Sequence, residues 1–359
     1  GVSTYFNPVD NDIENLFDPV ISNIILIENQ TGIYWPGQNI NTLGDWDYLS
    51  GYIFKSQAPT QLEDILSTRQ DEKELQLQEG WNLIPVLSSN NVGVEELFTD
   101  ADIEIVKEVA GWRVYWPDLN INSMVTVNTG KAYFVLSNTE QTILFPDLDG
   151  TNAVSQPQNE MVNITPWNDV TETPGSHVIG FDSKALTVLK EGDYIGAFTA
   201  DDRCAGLASY DGKSMALAIY GDDPTTSPID GFGNAEQFRL RVYRPETSEL
   251  FDLDVTYSPD RNPGNFEAYG ISEIIDMKLS STGISGIYPS DFDIYPNPSS
   301  GIFDLESLYD NMSITVYDSY GNEILRKIGY QSDKIDLTQH ANGVYYLRIT
   351  IPKENIIRK

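Results

Sequence analysis

The sequence predicts a mainly β protein, built of several small β-sandwich or β-rich modules in tandem. Three observations predict it. Short runs of alternating apolar and polar residues recur, broken by Gly, Asn, Asp and Pro. Helical periodicity is confined to Ile13–Phe17 and Val94–Phe98. A constellation of rare residues also returns at a fixed spacing, as tandem copies of one small module would require. The clearest hairpin is Gln237–Val255. Phe238, Leu240 and Val242 share one face, Pro245–Ser248 turns the chain, and Phe251, Leu253 and Val255 return along a dry side.

The repeat has an offset of 81. Glu14-Asn-Leu-Phe17 matches Glu95-Glu-Leu-Phe98. Tyr34, Trp35 and Pro36 match Tyr115, Trp116 and Pro117, and Asn39-Ile-Asn41 matches Asn120-Ile-Asn122. Further on, a two-residue deletion is expected to bring Gly51-Tyr52 onto the Gly130–Tyr133 region. The second copy opens with Glu79-Gly-Trp-Asn-Leu-Ile-Pro-Val86, whose equivalent in the first copy falls before residue 1. Residue 1 is therefore expected to sit inside a repeat of a longer chain.

The layout read from these signals is a first β-rich repeat over 1–66 and a second over 67–145. A polar linker over 146–160 follows, then a β-sandwich over 161–280, a Ser/Gly-rich linker over 281–291 and a small β unit over 292–359. From Ser285 onward there are seven basic and ten acidic residues, so nearly all of the net charge of −32 lies before the last unit.

Composition removes several function classes. With 54 acidic and 22 basic residues, the chain lacks the basic face that nucleic acid or an anionic membrane surface requires. A single cysteine, Cys204, forbids an intrachain disulfide, and two histidines, His177 and His340, cannot make a multi-histidine metal site alone. No apolar run approaches the roughly 20 residues of a membrane-spanning helix.

The last unit is the most informative. Ile294-Tyr-Pro-Asn-Pro298 leads into Ser300-Gly-Ile-Phe303; then come Ser313-Ile-Thr-Val-Tyr-Asp318, Gly321-Asn-Glu-Ile324, Ile335-Asp-Leu337 and Asn342-Gly-Val-Tyr-Tyr-Leu-Arg-Ile349, with Lys359 at the end. Six or seven strands fit this pattern. Pro296 and Pro298 are expected to keep the first segment out of ladder pairing, at an edge. Asp318–Asn322 closes a hairpin, and residues 344–349 alternate with period two.

This pattern resembles the C-terminal type A sorting domain of Bacteroidota type IX secretion cargo. The resemblance covers about 290–359 and rests on Tyr295, Pro296, Asn297, Pro298, Gly301, Phe303, Gly321, Gly343, Tyr345 and Lys359. It implies an Ig-like sorting domain and export through an outer-membrane translocon. It further implies capture by a PorV-type shuttle barrel and removal by a sortase-like signal peptidase cutting within about 281–293. The mature protein would be attached to surface lipopolysaccharide, or released. The localisation implied is extracellular or at the outer-membrane surface, after periplasmic transit.

The body resembles repeat modules of large secreted Bacteroidota surface proteins, which read Gly-Trp-Asn-Leu-Ile followed by Tyr-Trp-Pro and Asn-x-Asn. Region 161–280, with Gly192–Ala197, Cys204–Gly206, Gly221–Asp223 and Asp230–Phe232, looks like another such module. That likeness carries no defined activity.

No catalytic residue stands out. Gly283–Ile287 lacks the last glycine of a nucleophile elbow, and His177 is the one histidine in the body. Cys204 reads as a buried strand residue. Clustered carboxylates at Asp147, Asp149, Asp201, Asp202, Asp222 and Asp223 are weak candidates for one structural calcium, but none completes an EF-hand loop. The six tryptophans, Trp35, Trp46, Trp81, Trp112, Trp116 and Trp167, read mostly as core, although an exposed one flanked by Asn or Asp would suit a sugar ring. The sequence thus points to a secreted or cell-surface multidomain β protein with a non-catalytic adhesin or scaffold role. The alternatives are the C-terminal accessory part of a larger secreted hydrolase and a carbohydrate-binding surface protein that recognises a polysaccharide.

Overall fold

The computed structural model describes residues 1–146, 163–281, 292–307, 312–318, 322–330, 334–351 and 354–358. It divides into two compact units, Gly1–Ser280 and Ser281–Lys359. Strands dominate, and the two short α-helices among the described residues are Ile13–Phe17 and Val94–Leu97.

The first sheet holds β1 (Ile24–Glu28), β2 (Ile33–Trp35), β3 (Ile40–Asn41) and β4 (Ile53–Ser56), in the order β3-β2-β1-β4. The second holds β5 (Gly80–Ile84), β6 (Ile103–Glu108), β7 (Val114–Trp116), β8 (Ile121–Asn122) and β9 (Tyr133–Ser137), in the order β8-β7-β6-β9-β5. The two share a register. Ile27 lies opposite Tyr34 and Phe54, as Val106 lies opposite Tyr115 and Val135. Both central strands carry an irregularity at the same place, Ile24/Leu26 and Ile103/Ile105.

The recurring residues have recurring duties. Pro36 and Pro117 each open a 3-10 turn, where a missing N–H costs nothing. Asn39 and Asn120 end those turns in the left-handed region, at φ 55° and 51°, which asparagine tolerates. The Asn41 and Asn122 amides donate to the Glu14 and Glu95 carboxylates at 2.8 and 2.7 Å, tying helix to sheet. The Asp47 and Asn128 N–H groups donate to the Tyr52 and Tyr133 hydroxyls at 2.7 and 2.9 Å. Tyr52 and Tyr133 therefore correspond at the full spacing of 81, and the deletion expected before Gly51 is not there. The spacing changes only in the central strand (106 − 27 = 79), between the six-residue 3-10 turn Asp18–Asn23 and a longer β6–β7 turn.

The sandwich expected over 161–280 is instead a single sheet rolled on itself. It consists of β10 (Ser176–Phe181), β11 (Tyr194–Phe198), β12 (Cys204–Ser209), β13 (Ala216–Tyr220), β14 (Arg239–Arg244), β15 (Glu249–Tyr257) and β16 (Ile271–Ser281). The order is β12-β11-β14-β15-β16-β10-β13, with β10 and β16 parallel. The roll brings the two edge strands together, so that a Cβ on Gly206 would lie 2.6 Å from the Ala218 carbonyl oxygen. Rolling the sheet in this way brings its two edges against each other and encloses a core including Phe181, Ile195, Leu217, Phe238, Val242 and Ile274.

The rolled sheet packs on the second sheet. Trp116 is fully buried against β10, where a Cβ on Gly180 would lie 2.9 Å from its ring. Its counterpart Trp35 has no such cover and is half-buried. Trp46 is buried, stacked 3.9 Å from Tyr52, while Trp81, Trp112 and Trp167 are half-buried. The expectation that most of the tryptophans are core holds fully for two of the six.

The second unit has a three-stranded sheet of β17 (Phe292–Tyr295), β18 (Ile302–Ser307) and β21 (Lys334–Asp336). Its four-stranded sheet holds β19 (Met312–Tyr317), β20 (Glu323–Tyr330), β22 (Tyr346–Ile351) and β23 (Glu354–Arg358). Leu305, Ile314, Val316, Ile335, Leu347 and Ile349 form its core.

Candidate functional site

In the second unit, turn chemistry gathers most of the sorting-signal residues around one groove. β17 pairs with β18 as far as Tyr295–Asp304. Pairing stops there because Pro296 and Pro298 follow; the first segment is thus a paired edge strand, and the prolines lie just beyond its ladder. Both proline bonds are cis. The chain re-enters β18 through Gly301 at φ +108°, whose carbonyl accepts from Leu337 N–H at 2.7 Å. A Cβ there would also meet Thr338 at 3.1 Å, so glycine is required twice over.

The groove, about 800 Å³, is lined by Asn297, Pro298, Gly301, Phe303, Gly343 and Tyr345, with Ile294, His340 and Val344 beside them. Tyr345 donates its hydroxyl to the Ala341 carbonyl, which bends the 341–345 segment over the groove. Tyr295 stands 45 % exposed, bonded to Glu306 at 3.3 Å. Gly343 needs neither a positive φ nor space: nothing lies within 4 Å of a Cβ built there. It leaves that wall of the groove bare. Gly321 and Lys359 lie outside the described residues. Asp318 and Asn322 close the β19–β20 hairpin through paired backbone and side-chain bonds at 2.9–3.0 Å.

The calcium candidates are engaged by the protein's own donors. Asp202 binds Arg241 at 2.7 Å and Arg239 at 3.2 Å, and the Arg241 hydrogen bond holds its carboxyl below the usual range. Asp223 is gripped by Lys55 and Thr225, which outweigh burial and keep its carboxyl low. Asp201 accepts from the Thr199 hydroxyl, and Asp222 from Asp230 N–H. Among the described residues no group of three or more His, Cys, Asp or Glu is placed to hold a metal. Asp147 and Asp149 lie outside them.

His177 is fully buried between Phe238 and Phe266. Its Nδ1 faces the Glu267 carbonyl at 3.2 Å and its Nε2 the Ser272 hydroxyl at 2.8 Å. Burial pushes the imidazole down to about 3, so it is neutral. Cys204 is buried and donates to the Gly206 carbonyl, and burial pushes its thiol up to about 11. Thiolate reactivity is suppressed in such a site.

Sequence reasoning missed Lys107. The first sheet has Glu28 in its register position, opposite Ile53 as Lys107 is opposite Phe134. Lys107 is fully buried and donates to the Ser176 carbonyl and hydroxyl at 2.8 and 2.6 Å. The rings of Trp81, Phe134 and Tyr269 surround its ammonium at 5.6, 5.4 and 5.1 Å. Burial pushes it down to about 7. These partners come from four distant segments, so no local motif announces them.

Residues 293–359 match the family described as the secretion system C-terminal sorting domain. The chain ends in a type IX sorting domain. That domain supports export by the type IX route. No curated protein and no solved structure matches it. No helix among the described residues is long and apolar enough to cross a membrane.

Proposed function

We propose that this chain is a non-catalytic protein of the extracellular space or outer-membrane surface, with an adhesin or scaffold role. Its sorting domain would be engaged through the groove around Asn297, Pro298, Gly301, Phe303, Gly343 and Tyr345. The observation that carries the reading is the convergence of six of the ten sorting-signal residues on that groove, within the segment that matches the family. The receptors would be the outer-membrane translocon and its shuttle barrel, and a sortase-like peptidase would cut within about 281–293. The body's two chemically promising side chains, His177 and Cys204, are both buried, which supports a non-catalytic role. The shared registers and side-chain duties of the first two sheets support their origin as copies of one module.

The test is deletion of residues 290–359 in cells that carry a type IX system. The body is expected to accumulate in the periplasm. Surface display equal to that of the intact chain contradicts the proposal.

A further inference from the structure

We propose that the cleft between the second module and the rolled sheet binds a short neutral saccharide. The cleft, about 380 Å³, falls in the range of small-molecule sites and lies at a junction of packed modules, where such sites are common. Trp81 of β5 and Tyr269, just before β16, wall it, and Asp260, Asn262 and Glu267 rim it. The two rings stand 6.4 Å apart at 54°. Both pack on Phe134 and enclose the Lys107 ammonium, which fixes them before any ligand arrives.

The chemistry of the rim selects the ligand. Among the described residues, the Asp260 and Glu267 carboxylates accept no hydrogen bond, and each is exposed. Asn262 spends its carbonyl oxygen on Gly264 and Asn265 N–H at 3.0 and 2.9 Å, leaving its NH₂ to donate outward. Arg261 adds no free positive charge: Glu104 and Glu273 hold it at 2.7 and 3.2 Å, and it stacks over Trp116. The site therefore offers two rigid aromatic faces, two anionic acceptors and a donor. An anionic ligand meets like charge. A purely apolar one leaves the polar rim unpaired. A pyranose ring has a C–H face for Trp81 or Tyr269 and hydroxyls that both donate and accept.

The test uses the purified 359-residue chain, read by calorimetry and tryptophan fluorescence. The probes are cellohexaose, xylohexaose, mannohexaose and chitohexaose, with tetragalacturonate as the anionic control. At least one neutral probe is expected to bind saturably, and tetragalacturonate is not. An Asp260→Ala/Glu267→Ala double variant is expected to weaken binding at least about tenfold while leaving thermal unfolding unchanged, because both side chains are exposed. Trp81→Phe, which keeps a ring over Lys107, is expected to weaken it as well. No neutral probe binding below about 10 mM, equal affinity in the variants, or equal binding of tetragalacturonate each overturns the proposal. Because the assay is done on purified protein, its outcome is separate from that of the export test.

Discussion

Replacing Lys107 with methionine exposes the cost of its buried charge. Burial holds the ammonium at about 7, against an ordinary 10.5. A base whose folded pKa lies below its unfolded value costs stability wherever the unfolded chain is protonated. The cost is full below about pH 7, shrinks as pH rises from 7 to 10.5, and is gone above that. At about 1.36 kcal/mol per pH unit the full cost is about 5 kcal/mol, of which roughly 3 kcal/mol disappears between pH 6.5 and 9.5. Against it stand the two hydrogen bonds to Ser176, which the neutral amine still donates and which are together worth about 2 kcal/mol. Lys107→Met is therefore expected to stabilise the first unit by about 2–3 kcal/mol at pH 6.5 and to change its stability by less than about 1 kcal/mol at pH 9.5. Urea unfolding followed by tryptophan fluorescence reads this unit alone, because all six tryptophans lie within residues 1–280. A wild-type-to-variant difference that changes by less than about 1 kcal/mol between the two pH values would refute the reasoning.

Other outcomes follow from particular contacts. Asp193→Ala leaves Arg244, now held bidentately at 2.9 and 2.7 Å, buried without its partner; a loss of about 3–5 kcal/mol is expected in the same urea assay, and a loss under about 1 kcal/mol would count against it. Gly301→Ala forces a side chain to φ +108° against Thr338 and is expected to cost the sorting domain about 1–3 kcal/mol, read as faster hydrogen exchange at Leu305 and Ile349. Gly343→Ala is expected to change that exchange little, within about 0.5 kcal/mol, yet to reduce surface export because it narrows the groove. Unimpaired export of Gly343→Ala would remove that wall from the recognition surface.

The sequence carried those parts of the fold whose causes are local. The offset of 81 was visible because Trp, Pro and Asn each do a position-specific job: opening a 3-10 turn, ending it at positive φ, or reaching back to a helix carboxylate. The sorting tail was legible for the same reason, through Gly301 and the alternation that buries Leu347 and Ile349. What stayed hidden is non-local. The parallel pairing of β10 with β16 joins Val178 to Ile271, and no hairpin signal marks it. The different burial of Trp35 and Trp116 depends on Gly180, which the repeat pattern does not include. Lys107 reads in sequence as an ordinary strand lysine, and only Ser176, Trp81, Phe134 and Tyr269 together make it otherwise. The groove likewise turns a glycine with no backbone duty, Gly343, into a candidate contact.

The most direct test of the central claim is sufficiency of the tail. Residues 281–359, a compact unit by themselves, would be fused to a fluorescent protein directed to the periplasm of cells with a type IX system, and surface fluorescence would be measured. Protease-accessible fluorescence is expected at the cell surface or in the medium, and it is expected to be lost when the type IX translocon is deleted. Retention of the intact fusion in the periplasm of cells with a working translocon would contradict the claim.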